Sequence, residues 1–162
     1  MSQKYSDEFI YIQSNNWLNI PKMKRKHSGI RKQKIDGVKI QQLPENHMLA
    51  NQYGLFATKQ FNTFDIIGEY VGVVGFNNGK YVASINNEGL GIDAEKYGNE
   101  LRFMNDYHNI ADKPNAIMSL CYIDSYPHII IVCTNNISIG QEILIDYGDE
   151  YNNYYIRKNT SI

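Results

Sequence analysis

The stretch EKYGNELRFMNDY, Glu95 to Tyr107, is the only part of the sequence with the composition of a helix, and Gly98 sits inside it. A glycine in a helix interior costs ~1 kcal/mol relative to alanine, so any helix here is expected to be short. The flanks have a different texture. On the N-terminal side lie DGVKIQQL (36–43), YGLFATK (53–59) and FDIIGEYVGVVGF (64–76); on the C-terminal side lie AIMSLCYI (116–123), HIIIVCT (128–134) and EILIDYG (142–148). Each is short, rich in Val, Ile, Tyr and Phe, and bounded by Gly, Asn, Asp or Pro, the pattern of strands and turns. HIIIVC is continuously apolar, as in a strand buried on both faces, while AIMSLCYI is looser. The fold is therefore expected to be mainly β, several small sheets with little helix.

With 162 residues and 43% apolar content, the chain is long enough for one domain with a real core and too short for two ordinary ones. Lys and Arg (16) nearly balance Asp and Glu (17), so net charge points to no acidic partner or membrane surface. The basic residues do cluster: PKMKRKHSGIRKQK contains seven Lys and Arg between Lys22 and Lys34. Such a run suits nucleic acid, an acidic protein or an import receptor, and equally a solvated linker. Cys121 and Cys133 cannot make a zinc site alone, and both are expected to be buried thiols. The N-terminal residues lack a signal-peptide layout and no apolar run reaches membrane-spanning length, so an intracellular, soluble protein is expected.

Three pieces carry the functional signal: QYGLFATKQFNTFDIIGEYVGVV (52–74), GIDAEKYGNELRFMNDYHNIADKPNA (91–116) and CTNNISIGQEILIDYGDEY (133–151). Taken together and in order, they resemble the SET domain of protein-lysine N-methyltransferases. That family's pattern runs G-W-G-[LIV]-x-A, E-Y-x-G, I-D-A, G-N-x-x-R-F-x-N-H-S-x-x-P-N and I-x-x-G-E-E-[IL]-x-x-D-Y. No cysteine-rich segment precedes or follows the matched region, so the resemblance is to compact members, including small viral SET proteins, without the zinc-binding pre-SET and post-SET segments. It implies a β-clip of small sheets with a C-terminal pseudoknot. Residues 1–36 then read as a basic extension, to which FIYIQSNNWLNI (9–20) adds a strand or helix. The SET domain spans 37–151, and 152–162 form a tail that closes the site.

By the same resemblance the cofactor is S-adenosylmethionine, held by Tyr53, Gly54, Leu55, Arg102, Asn105, Asp106 and Tyr147; no metal is implied. Glycine at 54 suits a close backbone approach to a ligand. Asn105 offers both donor and acceptor to an ammonium-carboxylate ligand. Arg102 reads equally as a cofactor contact or as a salt-bridge partner of Asp93 or Glu142. Tyr147 would be the catalytic tyrosine and Tyr70 the opposite wall of a lysine channel, completed by Ile145 and Tyr151. Tyrosine suits such a channel: its ring holds an aliphatic stem and a cation, and its hydroxyl positions the nitrogen. A phenol with a pKa near ~10 is a poor base at neutral pH, so an orienting role is assigned to Tyr147. Tyr154 and Tyr155 match no motif and read as packing.

The sequence departs from the family at four places. Gln52 and Tyr53 replace the first Gly-Trp; Asp106 and Tyr107 stand at His-Ser; NIADK (109–113) lengthens the loop before Pro114-Asn115; and Ile145 occupies a position where Phe or Tyr is common. Without a hydroxyl at 145, addition of more than one methyl is expected. The implied function is methylation of a lysine in a protein or peptide, a histone tail above all, in the nucleus of its own or a host cell. The alternative is a catalytically impaired SET-like module that binds protein or chromatin, its arm at 22–34 contacting nucleic acid or an acidic partner.

Overall fold

The computed structural model describes residues 9–17, 34–76 and 79–148. Within them the chain forms twelve short strands and one 3-10 turn. Strands β2 (Val38–Gln42) and β3 (Tyr53–Ala57) make an antiparallel pair. Strand β4 (Ile66–Tyr70) joins the hairpin of β10 (Ala116–Ile123) and β11 (Tyr126–Cys133) in a sheet ordered β10-β11-β4. Strands β5 (Val73–Phe76), β6 (Val82–Ser84) and β7 (Leu90–Asp93) form a third sheet with β7 central. Two small parallel pairs complete the fold: β1 (Ile10–Tyr11) with β8 (Tyr97–Gly98), and β9 (Asn105–Asp106) with β12 (Leu144–Ile145). This is the expected mainly β architecture of small sheets.

The expected short helix is a single 3-10 turn, Glu100–Phe103. Long-range pairing explains why it is no longer. Tyr97 and Gly98 are committed to β1, and Asn105 and Asp106 to β12, which leaves only the turn between them. Asn99 caps it, its side chain accepting the Leu101 N–H at 3.2 Å and donating to the Glu69 carbonyl at 2.7 Å. Leu101 and Met104 point into the core.

Strand β11 lies between two partners, yet from Ile129 to Cys133 its burial alternates, with Ile130 and Val132 only half-buried, which corrects the expectation of a strand buried on both faces; β10 forms one side of the sheet and is more exposed. Cys133 on β11 is buried, whereas Cys121 on β10 is only half-buried, which corrects the expectation of two buried thiols. The β10–β11 turn is made by Asp124 and Ser125, both at positive φ (50° and 68°), the twist a two-residue hairpin requires.

The segment 9–17 is built into the domain. Ile12 and Trp17 are fully buried, and the Trp17 ring meets Tyr126 edge-on at 5.2 Å. Asn16 bridges to Val73, while the Asn15 side chain donates to Glu69 and accepts the Gly72 N–H. At Gly72 a Cβ would lie 2.2 Å from the Asp93 carbonyl oxygen, so only glycine lets these backbones approach so closely. Most of the basic run at 22–34, Tyr151 and the tail 152–162 lie outside the described residues.

Candidate active site

The site forms where β9 and β12 lie side by side. Their parallel register sets Leu144 beside Asn105 and Ile145 beside Asp106, and the Tyr107 N–H donates to the Ile145 carbonyl. Asn115 locks the same strand from its other edge: its amide nitrogen donates to the Glu142 carbonyl, its amide oxygen accepts the Leu144 N–H, and its own N–H donates to the Leu144 carbonyl. Two segments about forty residues apart in sequence are thereby fixed against each other, and with them Asn105 and Tyr147.

Tyr147 is partly exposed, and its hydroxyl donates to the Met104 carbonyl at 2.5 Å. Its N–H donates to Asp106 Oδ2 at 2.7 Å. The other Asp106 oxygen accepts the His108 N–H and meets His108 Nδ1 at 2.6 Å. Asp106 thus fastens the asparagine loop to the start of the tyrosine segment. Asp146 lies close by, and ligand-type atoms of Asp106, His108 and Asp146 all fall within 4.8 Å of one another. Each of these carboxylates accepts a backbone N–H, Asp146 from Gly148.

Asn105 spends both amide hydrogens inward, on the Tyr53 carbonyl at 3.1 Å and on Glu142 Oε1 at 2.8 Å. Both partners are acceptors, so the nitrogen must face them and Oδ1 must point away, where it accepts no hydrogen bond from the described residues. Glu142 is buried, and its Oε2 meets His47 Nε2 at 3.1 Å. Gly54 lies against this carboxylate: a Cβ there would come within 2.5 Å of Glu142 Oε1 and 3.0 Å of a Leu43 methyl. The need for glycine at 54 is thus set by Glu142 and Leu43, without invoking a ligand. Leu55 is fully buried and its carbonyl accepts the Ile143 N–H.

Tyr70 is buried, and its hydroxyl donates to the Tyr81 carbonyl at 2.7 Å. Burial holds its phenol protonated well above the usual tyrosine range, with Arg102 opposing that shift and Asp93 adding to it. The Arg102 guanidinium lies over Tyr81 (3.9 Å), Phe9 (4.4 Å) and Phe103 (5.0 Å). It makes no ion pair with Asp93 or Glu142 among the described residues, and its buried Nε has no hydrogen-bond partner among them. Ile145 is buried. The inserted loop walls a cleft of about 460 Å³ lined by residues 110–115, 135, 136, 141, 142 and 144.

The structure therefore brings together Tyr53, Gly54, Asn105, Asp106 and Tyr147, with Arg102 and Tyr70 around Tyr81. His47, Glu142 and Asn115, whose hydrogen bonds hold these segments together, were not among the site residues expected from the sequence. Glu142 and Asn115 do stand within quoted motif positions, a usable signal; nothing in the local sequence marks His47.

A mainly β domain whose asparagine loop and D-Y strand pair in parallel defines a class, and the SET domain model matches residues 52–148. The chain belongs to the SET domain family. It is 24% identical over 161 residues to Histone-lysine N-methyltransferase 2D of Homo sapiens, and equally to that of Mus musculus, spanning 91% of this chain but only 2% of those proteins. Its fold is similar to chains of Chaetomium thermophilum polycomb repressive complex 2. One such structure, in an autoinhibited conformation bound to S-adenosylmethionine, aligns with a TM-score of 0.60 at 22% identity, covering 76% of this chain and 17% of the other. A second aligns at 0.58 and 23%, covering 69% and 15%.

Proposed function

We propose that the chain is an S-adenosylmethionine-dependent protein-lysine N-methyltransferase acting on an extended, basic peptide such as a histone tail in a nucleus. The observation that carries this reading is the joint presentation, by β9 and the segment that follows β12, of an outward Asn105 Oδ1 and a Tyr147 hydroxyl held on the Met104 carbonyl. The residues fit the cofactor's chemistry: Asn105 Oδ1 accepts from an ammonium, the buried Arg102 Nε offers an unspent donor for a carboxylate, and oxygens at Tyr147 and Met104 favour a nearby cation. Bound there, S-adenosylmethionine supplies a methyl group on a positive sulfonium.

The chain's own residues align and desolvate. Orientation of two reactants can account for about 7–11 kcal/mol of barrier reduction, more than any single hydrogen bond here. Tyr147 donates its proton to the Met104 carbonyl, which fixes the direction of its hydroxyl for positioning the amine. Tyr70, kept neutral by burial, donates to Tyr81 and is no base. The lysine must therefore give its ammonium proton to solvent and arrive as a neutral amine, which becomes a methylated ammonium on taking the methyl group. Because a free lysine titrates near ~10.4, turnover is expected to rise from pH 7 through pH 9, and the raised Tyr70 pKa means that its hydroxyl bond survives across that range. Ile145 carries no hydroxyl to crowd out further methyl groups, so di- and trimethylated products are expected. Tyr151, outside the described residues, is proposed as a further channel wall.

The test is a methylation assay on core histones and whole-cell lysate with labelled S-adenosylmethionine, Tyr147→Phe serving as control. Label transferred by the unaltered chain and lost in the variant supports the reading. No transfer, together with no cofactor binding by calorimetry, overturns it in favour of a binding module.

A further inference from the structure

His47 stands outside every motif of the sequence and 95 residues from the side chain it touches. Its ring is tied at both nitrogens. Nδ1 lies 3.0 Å from the Leu49 N–H, and a backbone N–H can only donate, so Nδ1 carries the lone pair. The proton of the neutral ring is then on Nε2, which donates to Glu142 Oε2 at 3.1 Å. Glu142, buried, uses its other oxygen to take an amide hydrogen from Asn105 at 2.8 Å. The direction of every donor in this chain is fixed by chemistry: Leu49 N–H to His47, His47 to Glu142, Asn105 to Glu142 and to the Tyr53 carbonyl. Turning the Asn105 amide over would set its oxygen against a carboxylate and a carbonyl.

We infer that His47 is a positioning residue for the cofactor site, holding the Glu142 carboxylate so that Asn105 presents Oδ1, and not its amide nitrogen, to the cofactor's ammonium. The inference rests on Asn105 being a cofactor contact. Without the imidazole, Glu142 keeps one fewer donor and gains freedom to rotate away from Asn105. The amide then samples the reversed orientation, and a charged donor on the ligand loses its acceptor part of the time. His47 itself touches no ligand, so its effect must pass through Asn105.

That dependence makes a double-mutant cycle decisive. Calorimetric titration of the full chain with S-adenosylmethionine would compare the unaltered protein, His47→Ala, His47→Gln, Asn105→Ala and the His47→Ala/Asn105→Ala pair, with thermal unfolding to confirm that each is folded. The expected result is weakening by about 5–10-fold for His47→Ala, the scale of one lost hydrogen bond. Substantial recovery is expected with His47→Gln, whose side-chain amide can still donate, and no further loss from His47→Ala once Asn105 is alanine. Equal loss from His47→Ala in both backgrounds would show a merely structural role and overturn the inference. So would unchanged affinity in His47→Ala while Asn105→Ala binds weakly. Unchanged affinity in Asn105→Ala overturns the cofactor role of Asn105, and with it the relay, but leaves S-adenosylmethionine binding standing; absence of binding by the unaltered chain overturns the proposed function as well.

Discussion

Single side chains decide the chemistry, and Tyr147 is the first to test. Phenylalanine keeps its ring and removes only the hydroxyl on the Met104 carbonyl. If that oxygen positions the amine, Tyr147→Phe should lower turnover by about 100-fold, the scale seen when a positioned polar group is removed from a reacting centre, with little change in thermal midpoint. Asp106 makes a different prediction. Its two oxygens serve Tyr147 N–H and His108, and Asp106→Asn leaves one acceptor oxygen for both. A loss of about 1–2 kcal/mol in chemical unfolding is expected, along with weakened activity, because the tyrosine segment loses its anchor. At this scale the sequence was readable in part. Asn105 and Tyr147 stood out because their motifs have fixed spacing, and the structure sets them together. Arg102 was less legible, since two of the three rings that hold it, from Phe9 and Tyr81, come from distant segments, and only Phe103 is its neighbour in sequence.

At the scale of elements, β10 and β11 differ in the way their residues foretell, and their cysteines make the difference measurable. Burial pushes the Cys133 thiol up to about 11, with the Asp65 charge adding to it, while Cys121 is half-buried. An alkylating reagent at pH 8 should modify Cys121 first and spare Cys133 until the protein unfolds, as peptide mass spectrometry would read; equal labelling in the native protein would contradict this placement. The sign for stability follows. A thiol whose folded pKa is raised contributes stability below the ordinary thiol range and loses it as pH rises through about 11. Phe64, just before β4, is the least expected element boundary: it is 81% exposed at φ 73°, where a bulky residue is strained. Phe64→Gly should raise the thermal midpoint by roughly 2–4 °C, the equivalent of about 1 kcal/mol. The Glu95–Tyr107 stretch illustrates why elements were only partly legible: its composition favoured helix, but its ends are spent on strands from distant parts of the chain.

For the whole molecule, the family match begins at residue 52, yet the core begins earlier. Trp17 is 2% exposed and packs on Tyr126, so Trp17→Ala should cost about 3–5 kcal/mol in denaturant unfolding, as large-to-small changes in a core do. The N-terminal piece was readable as an edge element but not as core, since a single apolar run does not disclose what it lies against. The parallel pairing of β9 with β12 has a consequence in time. As a chain is synthesised from its N-terminus, Tyr53, Gly54, Arg102 and Asn105 are all made before the segment that completes them. Until Glu142 to Tyr147 emerge, Asn105 has no carboxylate to orient it and Met104 no phenol to receive. The contacts that orient Asn105 and anchor Tyr147 can therefore form only once the last strand has been made.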